Sequence, residues 1–334
     1  MPVALITPEE MIHSPGPEAG ILRDAGFEVR YPTDTTFTRG LGTEQETIRV
    51  LAGVSALLAG GEHLTAKVLA AVPELRVIAR AGVGFDRVDV PAAAKHQVVV
   101  TITPTANHAA VAEHTLALMF GVARGVALND RVLRSGQWIR RTLKPVRGRT
   151  IGIVGLGRIG RSTAQRCVGL EMKVLAHELY PDKEFVKQHG IELVDLPTLL
   201  KRSDFVSLHC PLNEETRGLM NATAFAQMKP GSVFINTARG GLVVEADLIA
   251  ALKSGHLGGA GLDVFEKEPS DPDNPLFKMD NVVVCPHLGG GDAQSIADMG
   301  AEAAQSIVSL YRGQWPPEAA VLNGSLKEGW HWQR

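Results

Sequence analysis

Short β-type runs alternate with helical stretches along most of the chain. The alternation breaks once, at Thr103-Pro104-Thr105-Ala106-Asn107, and restarts at Thr150. Such alternation builds parallel sheets with helices on both faces. Before the break the expected strands are Val3–Ile6, Phe27–Tyr31, Ala56–Ala59, Val77–Ala79 and Val98–Thr101, with helices at Gly16–Ala25, Thr65–Ala71 and Val90–Lys95. After it come a long apolar helix, Ala109–Val126, a second at Leu128–Gly136, and an exposed basic stretch, Arg140–Arg149. The strands that follow are Thr150–Val154, Lys173–His177, Phe205–His209, Ser232–Thr237, Gly259–Leu262 and Val282–Cys285. An amphipathic helix, Ala293–Arg312, leads into a tail whose Trp330 and Trp332 are expected to pack on a surface. With 334 residues, two α/β units in series are the natural reading.

Composition removes several classes of function. Lys+Arg is 34 and Asp+Glu 36, a net charge of 34 − 36 = −2, which gives no general electrostatic grip on nucleic acid or acidic membranes. No apolar run reaches the length of a membrane span, and the N-terminus reads as a first strand rather than a signal peptide. The three cysteines, Cys167, Cys210 and Cys285, are odd in number and form no CxxC. They read as reduced thiols, which makes the expected location cytoplasmic. His63, His108 and His114 lack metal-ligand spacing to any Cys, Asp or Glu cluster, so they read as ordinary residues and no metal is expected.

The second β–α series opens on Ile151-Gly-Ile-Val-Gly155-Leu-Gly157-Arg158-Ile159-Gly160, a strand running through GxGxxG into a helix. Gly155 permits the tight turn, Gly157 lets the backbone approach a pyrophosphate, and Gly160 lets helix and strand pack closely. Arg158 and Ile159 head the helix, whose free N–H groups and dipole favour phosphate. Glu178 ends the next strand, 178 − 160 = 18 residues past Gly160, near the usual place of a ribose-binding carboxylate. A carboxylate there accepts from ribose hydroxyls and repels a 2′-phosphate, so the expected cofactor is NAD rather than NADP.

Three islands follow later strands: Phe234-Ile-Asn-Thr237-Ala238-Arg239-Gly-Gly, Gly261-Leu-Asp263-Val-Phe-Glu-Lys-Glu268-Pro, and Cys285-Pro-His287-Leu-Gly289-Gly. Loops at the carboxyl ends of parallel strands converge on the ligand crevice. The set suits hydride transfer to a 2-oxo acid. Arg239 offers a planar fork of donors to a carboxylate and ketone. His287 can give a proton to the nascent alkoxide or take it back. Glu268 can orient the imidazole, and an adjacent carboxylate favours the cationic ring.

These motifs resemble the D-isomer-specific 2-hydroxyacid dehydrogenase family over about Leu75–Arg312, with weaker agreement before it. The resemblance implies catalytic places for Arg239, Glu268 and His287, and a contact from Asp263 to the nicotinamide carboxamide. Thr237 and Ala238 would line the nicotinamide side, with Gly289 nearby, and His209, Cys210 and Pro211 the adenine side. It also implies two doubly wound parallel-sheet domains. A dinucleotide-binding (Rossmann) domain, 104–294, is inserted in a flavodoxin-like substrate domain made of 1–103 and 295–334. The crossings would be hinges, and the helices 109–136 a homodimer segment. Trp138 falls where some relatives reach a neighbouring active site, though an aromatic there also suits simple interface packing.

Arg80-Ala-Gly82-Val83-Gly84-Phe-Asp86 resembles the family's carboxylate-binding loop, with Val83 and Gly84 as backbone donors and Asn107 near the substrate. Arg87 stands where the family usually has Asn. Phosphoglycerate dehydrogenases tend to carry a phosphate-binding Arg after the preceding strand, and here Ala59 and Gly60 supply no cation. Formate dehydrogenases have Gln at the place of Glu268. The implied reaction is therefore an NAD-dependent interconversion of a D-2-hydroxy acid and its 2-oxo acid, of hydroxypyruvate or glyoxylate type. A short D-3-phosphoglycerate dehydrogenase is the alternative, and an NAD-sensing corepressor a remote one.

Overall fold

The computed structural model describes residues 1–333, which fall into two compact units. The first 107 residues hold β1 (Val3–Ile6), α1 (Glu9–His13), α2 (Pro17–Asp24), β2 (Glu28–Arg30), α3 (Thr35–Thr38), α4 (Glu44–Val50), β3 (Ala56–Ala59), α5 (Ala66–Ala71), β4 (Val77–Arg80), α6 (Val90–Lys95) and β5 (Val99–Thr101). Then come α7 (His108–Ala123), α8 (Val126–Arg134), β6 (Thr150–Val154), α9 (Arg158–Gly169), β7 (Lys173–His177), α10 (Lys183–Gln188), β8 (Glu192–Leu193), α11 (Leu196–Arg202) and β9 (Phe205–Leu208). The series ends with α12 (Ala222–Gln227), β10 (Val233–Asn236), α13 (Glu245–Lys253), β11 (Gly259–Leu262), β12 (Val282–Val284) and α14 (Ala293–Tyr311).

One unit comprises Met1–Asn107 and Gly291–Arg334, the other His108–Gly290. The divisions fall 107 − 103 = 4 residues later and 295 − 291 = 4 residues earlier than the motif reading places them. Asn107 thus stays with the first unit. The segment is held there: Thr103, just before the extra residues, exchanges two hydrogen bonds with Gly82, and the hydroxyl of Thr105, one of them, donates to Glu302 at 3.1 Å.

The first unit is a five-stranded parallel sheet in the order β2-β1-β3-β4-β5, the flavodoxin-type order, with its switch point between β1 and β3. Alternate strand residues feed two cores. Ala4, Ile6, Leu58 and Ala79 pack on α2 and α14, while Leu5, Leu57, Ala59 and Ile78 pack on α5 and α6. Because both faces are covered, the strands read as continuous apolar runs. The tail closes this unit. Residues 320–323 run along β5, with the Ile102 amide donating to Ala320 C=O and the Leu322 amide to Val100 C=O, and the Asn323 side chain bridges Val100 N–H and Val98 C=O at 2.9 and 2.8 Å.

The second unit is a seven-stranded parallel sheet, β12-β11-β10-β9-β6-β7-β8. That is the dinucleotide-fold order with one added strand, and its switch point lies between β6 and β9. Ile151, Ile153 and Ile235 point to one core and Val154, Leu208 and Phe234 to the other. The long apolar helix α7 is spent inside this unit: Leu118 and Met119 are buried, and α7 packs on α9, β10 and β11. None of α8 is buried. Of the helices expected to join two copies, α7 exposes Glu113 and Ala117, whereas α8 is unburied along its whole length.

Candidate active site

Gly155 follows β6 at the switch point of the second unit, with φ +94°, a region open to glycine and strained for other residues. A Cβ there would lie 2.6 Å from the Cys210 nitrogen and 2.7 Å from the His209 carbonyl carbon. Gly157 is the N-cap of α9, and a Cβ on it would meet nothing within 4 Å, so open space lies over the helix start headed by Arg158 and Ile159. Gly160 is buried against the Gly155 carbonyl. A pyrophosphate fits this cradle: free helix N–H groups, no side chain in the way, and a rigid turn beneath.

Glu178 directly follows β7 beside the cradle. Its Oε2 accepts the Leu156 amide at 2.6 Å and its Oε1 the Tyr180 amide at 3.0 Å. The carboxylate therefore fixes the glycine turn. After β9, His209 donates its amide to Val154 C=O at 2.7 Å, and its Nε2 lies 2.9 Å from Ser207 Oγ. His209 Nδ1 is buried with no partner. Burial pushes the Cys210 thiol up to about 11, so it stays neutral beside the turn, and Pro211 follows.

The three later islands meet at the carboxyl edge of β10, β11 and β12. Asn236 ends β10 and holds the next turn, accepting Ala238 N–H at 3.0 Å and donating to Arg239 C=O at 2.9 Å. Arg239 Nη1 donates to Ala238 C=O at 2.7 Å. The Thr237 hydroxyl lies 2.9 Å from that of Thr115 on α7.

Asp263, one residue beyond β11, is 1 % exposed. Its carboxylate accepts the amides of Leu288 and Gly289, each at 2.8 Å, and faces His114 Nε2 at 3.1 Å. Its own C=O accepts the His287 amide at 2.8 Å. Burial works to raise its pKa, but the His114 and amide hydrogen bonds prevail and hold it below the ordinary value. Asp263 has a visible structural role besides: it builds the turn that carries His287. His114, read from sequence as an ordinary helix residue, is instead its partner. The signal was missed because 263 − 114 = 149 residues separate them.

His287 lies in left-handed backbone, φ 57°, and its Nδ1 meets Glu268 Oε2 at 2.8 Å. Glu268 Oε1 accepts the Phe265 amide at 3.0 Å, which fixes the carboxylate. The His287 side chain is 48 % exposed, and its Nε2 has no partner among the described residues. One nitrogen is thus held by a carboxylate and the other is presented outward, the arrangement a proton donor–acceptor needs. His114, Asp263 and Cys285 also bring three possible metal ligands within 4.8 Å of one another. They fit a metal poorly. The carboxylate is taken up by three donors, and burial followed by the Asp263 charge pushes the Cys285 thiol up.

In the first unit, Gly82 has φ +120°, and its amide donates to Thr103 Oγ1 at 2.7 Å. The loop is tightened by Arg80 Nε donating to Gly84 C=O at 3.0 Å. The amides of Val83 and Gly84 have no acceptor among the described residues. Asn107 is nearly buried, and its Oδ1 lacks a partner.

Residues 116–289 match the family model described as D-isomer specific 2-hydroxyacid dehydrogenase, NAD binding domain. The chain is 40 % identical over 295 residues to a D-3-phosphoglycerate dehydrogenase of Archaeoglobus fulgidus, covering 87 % of this chain and 55 % of that one. It is 40 % identical over 290 residues to a glyoxylate reductase of Thermofilum pendens, covering 84 % and 85 %. The solved TT0316 protein of Thermus thermophilus is 33 % identical, with a TM-score of 0.85 over 96 % of this chain and 99 % of that one. The chain spans about half the length of the curated phosphoglycerate dehydrogenases it matches. By motif, fold and sequence alike, the chain belongs to the D-isomer-specific 2-hydroxyacid dehydrogenases and carries their NAD-binding domain.

Proposed function

We propose that the protein is an NAD-dependent oxidoreductase that interconverts a small, unphosphorylated D-2-hydroxy acid and its 2-oxo acid, of hydroxypyruvate or glyoxylate type. The observation that carries the reaction is His287, held through Nδ1 by Glu268 at 2.8 Å with Nε2 presented outward. NAD, when bound, supplies or accepts the hydride. His287 gives the proton to the alkoxide oxygen as the ketone is reduced and takes it back in the other direction. Arg239 binds the carboxylate and the polarised carbonyl oxygen. In this reading the cofactor is held by Gly155, Gly157, Arg158, Ile159, Gly160, Glu178, His209, Cys210, Pro211, Thr237, Ala238, Asp263 and Gly289. Val83, Gly84 and Asn107 serve the substrate.

The unphosphorylated substrate is supported by how the first unit uses its arginines. Arg39 pairs with Glu9 through Nε at 2.8 Å. Arg87 donates through Nη1 to Gly61 C=O at 2.5 Å and also points to Arg39 C=O. Arg80 holds Gly84. A dianion would have to take donors from these places. The competing reading, a short phosphoglycerate dehydrogenase, is favoured by the names of the matched relatives. NADH oxidation with hydroxypyruvate, glyoxylate, pyruvate and phosphohydroxypyruvate decides between them. A preference of about tenfold or more in kcat/KM for the phosphorylated compound would overturn the unphosphorylated reading.

The homodimer also belongs here. Val126, Leu133, Trp138 and Ile139 are 61 %, 55 %, 81 % and 49 % exposed, an apolar strip on and after α8. Trp138 then serves as interface packing. Light scattering on the intact protein and on a Leu133→Glu, Trp138→Glu double variant tests it, with a monomer expected only for the variant.

A further inference from the structure

α7 packs inside the second unit, yet two adjacent polar residues on it, His114 and Thr115, reach the loops after β11 and β10. Its seat on β11 is close and in step. A Cβ on Gly261 would lie 2.9 Å from Leu118 Cβ, and one on Gly259 would lie 2.7 Å from Val122 Cγ1. Two residues beyond Gly261 comes Asp263, and four before Leu118 comes His114, whose Nε2 lies 3.1 Å from Asp263 Oδ1. Residues 114, 118 and 122 share one face of α7 and meet residues 263, 261 and 259 in turn. Four helical residues rise about 6 Å and two strand residues about 6.6 Å, so helix and strand keep step over this length. The bare glycines let α7 come close, and the His114–Asp263 contact is the polar end of the ladder.

These contacts extend to all three site loops. Asp263 is held ionised near neutrality and can only accept, so the His114 nitrogen facing it carries the hydrogen. The Asp263 carboxylate also takes the Leu288 and Gly289 amides, and its C=O takes the His287 amide. Through Asp263, His114 therefore supports the turn after β12. Thr115 gives its one hydroxyl hydrogen to Val111 C=O at 2.8 Å, so the hydrogen shared with Thr237 Oγ1, 2.9 Å away, comes from Thr237. Thr237 stands two residues before Arg239 in the turn after β10. Thr115 is buried and His114 half-buried, and a helix kept only for packing would place apolar side chains there.

We propose that His114 and Thr115 are positioning residues: through them the register of α7 on β11 sets the places of Arg239, Asp263 and His287. Each acts through another residue, His114 through Asp263 and Thr115 through Thr237. This rests on the reaction proposed above and adds what holds its loops in alignment. A misplacement of about 1 Å can cost about a hundredfold in rate even when its source lies away from the chemistry. His114 supports the His287 turn and Thr115 the Arg239 turn, so their losses should differ in kind.

The experiment compares the unaltered protein with His114→Phe, His114→Gln, Thr115→Val and Thr115→Ser. kcat and KM for the preferred 2-oxo acid are measured beside the Kd of ADP-ribose, which probes the cradle from Gly155 to Glu178 without turnover. His114→Phe should lower kcat by about 10–100-fold and leave KM within about threefold. Thr115→Val should instead raise KM by about tenfold, with kcat changed less. ADP-ribose should bind every variant with a Kd within about twofold of the unaltered value. Gln keeps an N–H donor for Asp263 and Ser an acceptor for Thr237, so each should restore most of the loss. If His114→Phe and Thr115→Val both keep kcat and KM within about twofold, the proposal falls. It falls too if the losses follow the fraction of protein able to bind ADP-ribose and Gln and Ser do not repair them, the mark of a purely structural role. In both cases an active unaltered protein leaves the proposed reaction standing. If the unaltered protein turns over none of hydroxypyruvate, glyoxylate, pyruvate and phosphohydroxypyruvate with NADH, the reaction falls and the positioning roles with it.

Discussion

His287 occupies left-handed backbone at a cost of about 1–2 kcal/mol for a residue with a Cβ. The strain is held by three contacts that Asp263 makes to residues 287–289. On the proposed reading the geometry separates two jobs, proton transfer at His287 and positioning at Asp263. His287→Ala should lower kcat by about 10²–10⁴, the usual worth of a general acid–base, with Tm little changed. Steady-state kinetics with a thermal melt check it. Asp263→Asn should act through stability as well. The folded-state pKa of Asp263 lies below its ordinary value, so its stabilisation is fully present above the unfolded value of about 4 and is lost as pH falls through the lower folded value. The Tm gap between the unaltered protein and Asp263→Asn should therefore be constant near neutrality and shrink below about pH 4. A gap that widens on acidification would contradict this sign. Arg239, Glu268 and His287 were legible as candidates because each lies in a motif just after a strand. Asp263's role and His114's were not, because a hydrogen bond across 149 residues leaves no local pattern.

At the scale of elements, strands buried on both faces were the most legible. β1, β3, β6, β7 and β11 have the bounds that their apolar runs suggest. Short or polar elements were not: β8 is two exposed residues, Glu192–Leu193, and α1 is five. α4 carried a readable signal, since Thr43 and Glu46 form a capping box, Glu46 Oε2 accepting Thr43 N–H at 2.7 Å. α7 was read correctly as apolar, but an apolar helix buried in its own unit and one buried against a second copy look the same in sequence. The cofactor prediction belongs here because Glu178 joins β7 to the turn before α9. In Glu178→Ala the Leu156 and Tyr180 amides lose their acceptor and a 2′-phosphate loses its repulsion. The unaltered protein should favour NADH over NADPH by about tenfold or more, about 1.4 kcal/mol, and the variant should narrow that gap while weakening both. Equal kcat/KM for the two cofactors before mutation would refute the assignment.

At the scale of the molecule, the two units differ in how the chain closes them, and their independence should differ accordingly. Residues 108–290 are one continuous segment with both faces of their sheet covered by their own helices. The other unit is assembled from both ends of the chain. Met299, Ala303, Ala304, Ile307 and Leu310 of α14 complete one face of its core. The tail then covers the β5 edge, and Trp330 donates its indole N–H to Gln97 C=O at 2.9 Å and meets Trp315 and Trp332 edge-on. Arg76 lies over the Trp330 ring and donates to the Trp332 and His331 carbonyls. Removing α14 and the tail leaves an apolar sheet face and an unpaired strand edge, the state that aggregates. We therefore expect residues 108–290, expressed alone, to unfold cooperatively and to bind NADH with a Kd within about tenfold of the intact protein, because the cradle from Gly155 to Glu178 is wholly inside that segment. Residues 1–107 alone should show no cooperative transition, and adding residues 291–334 in trans or by a linker should restore one. Circular dichroism melts of the three species are the measurement. A cooperative melt from residues 1–107 alone would show that β1–β5 and their own helices suffice, and that α14 adds to the core without being required for it.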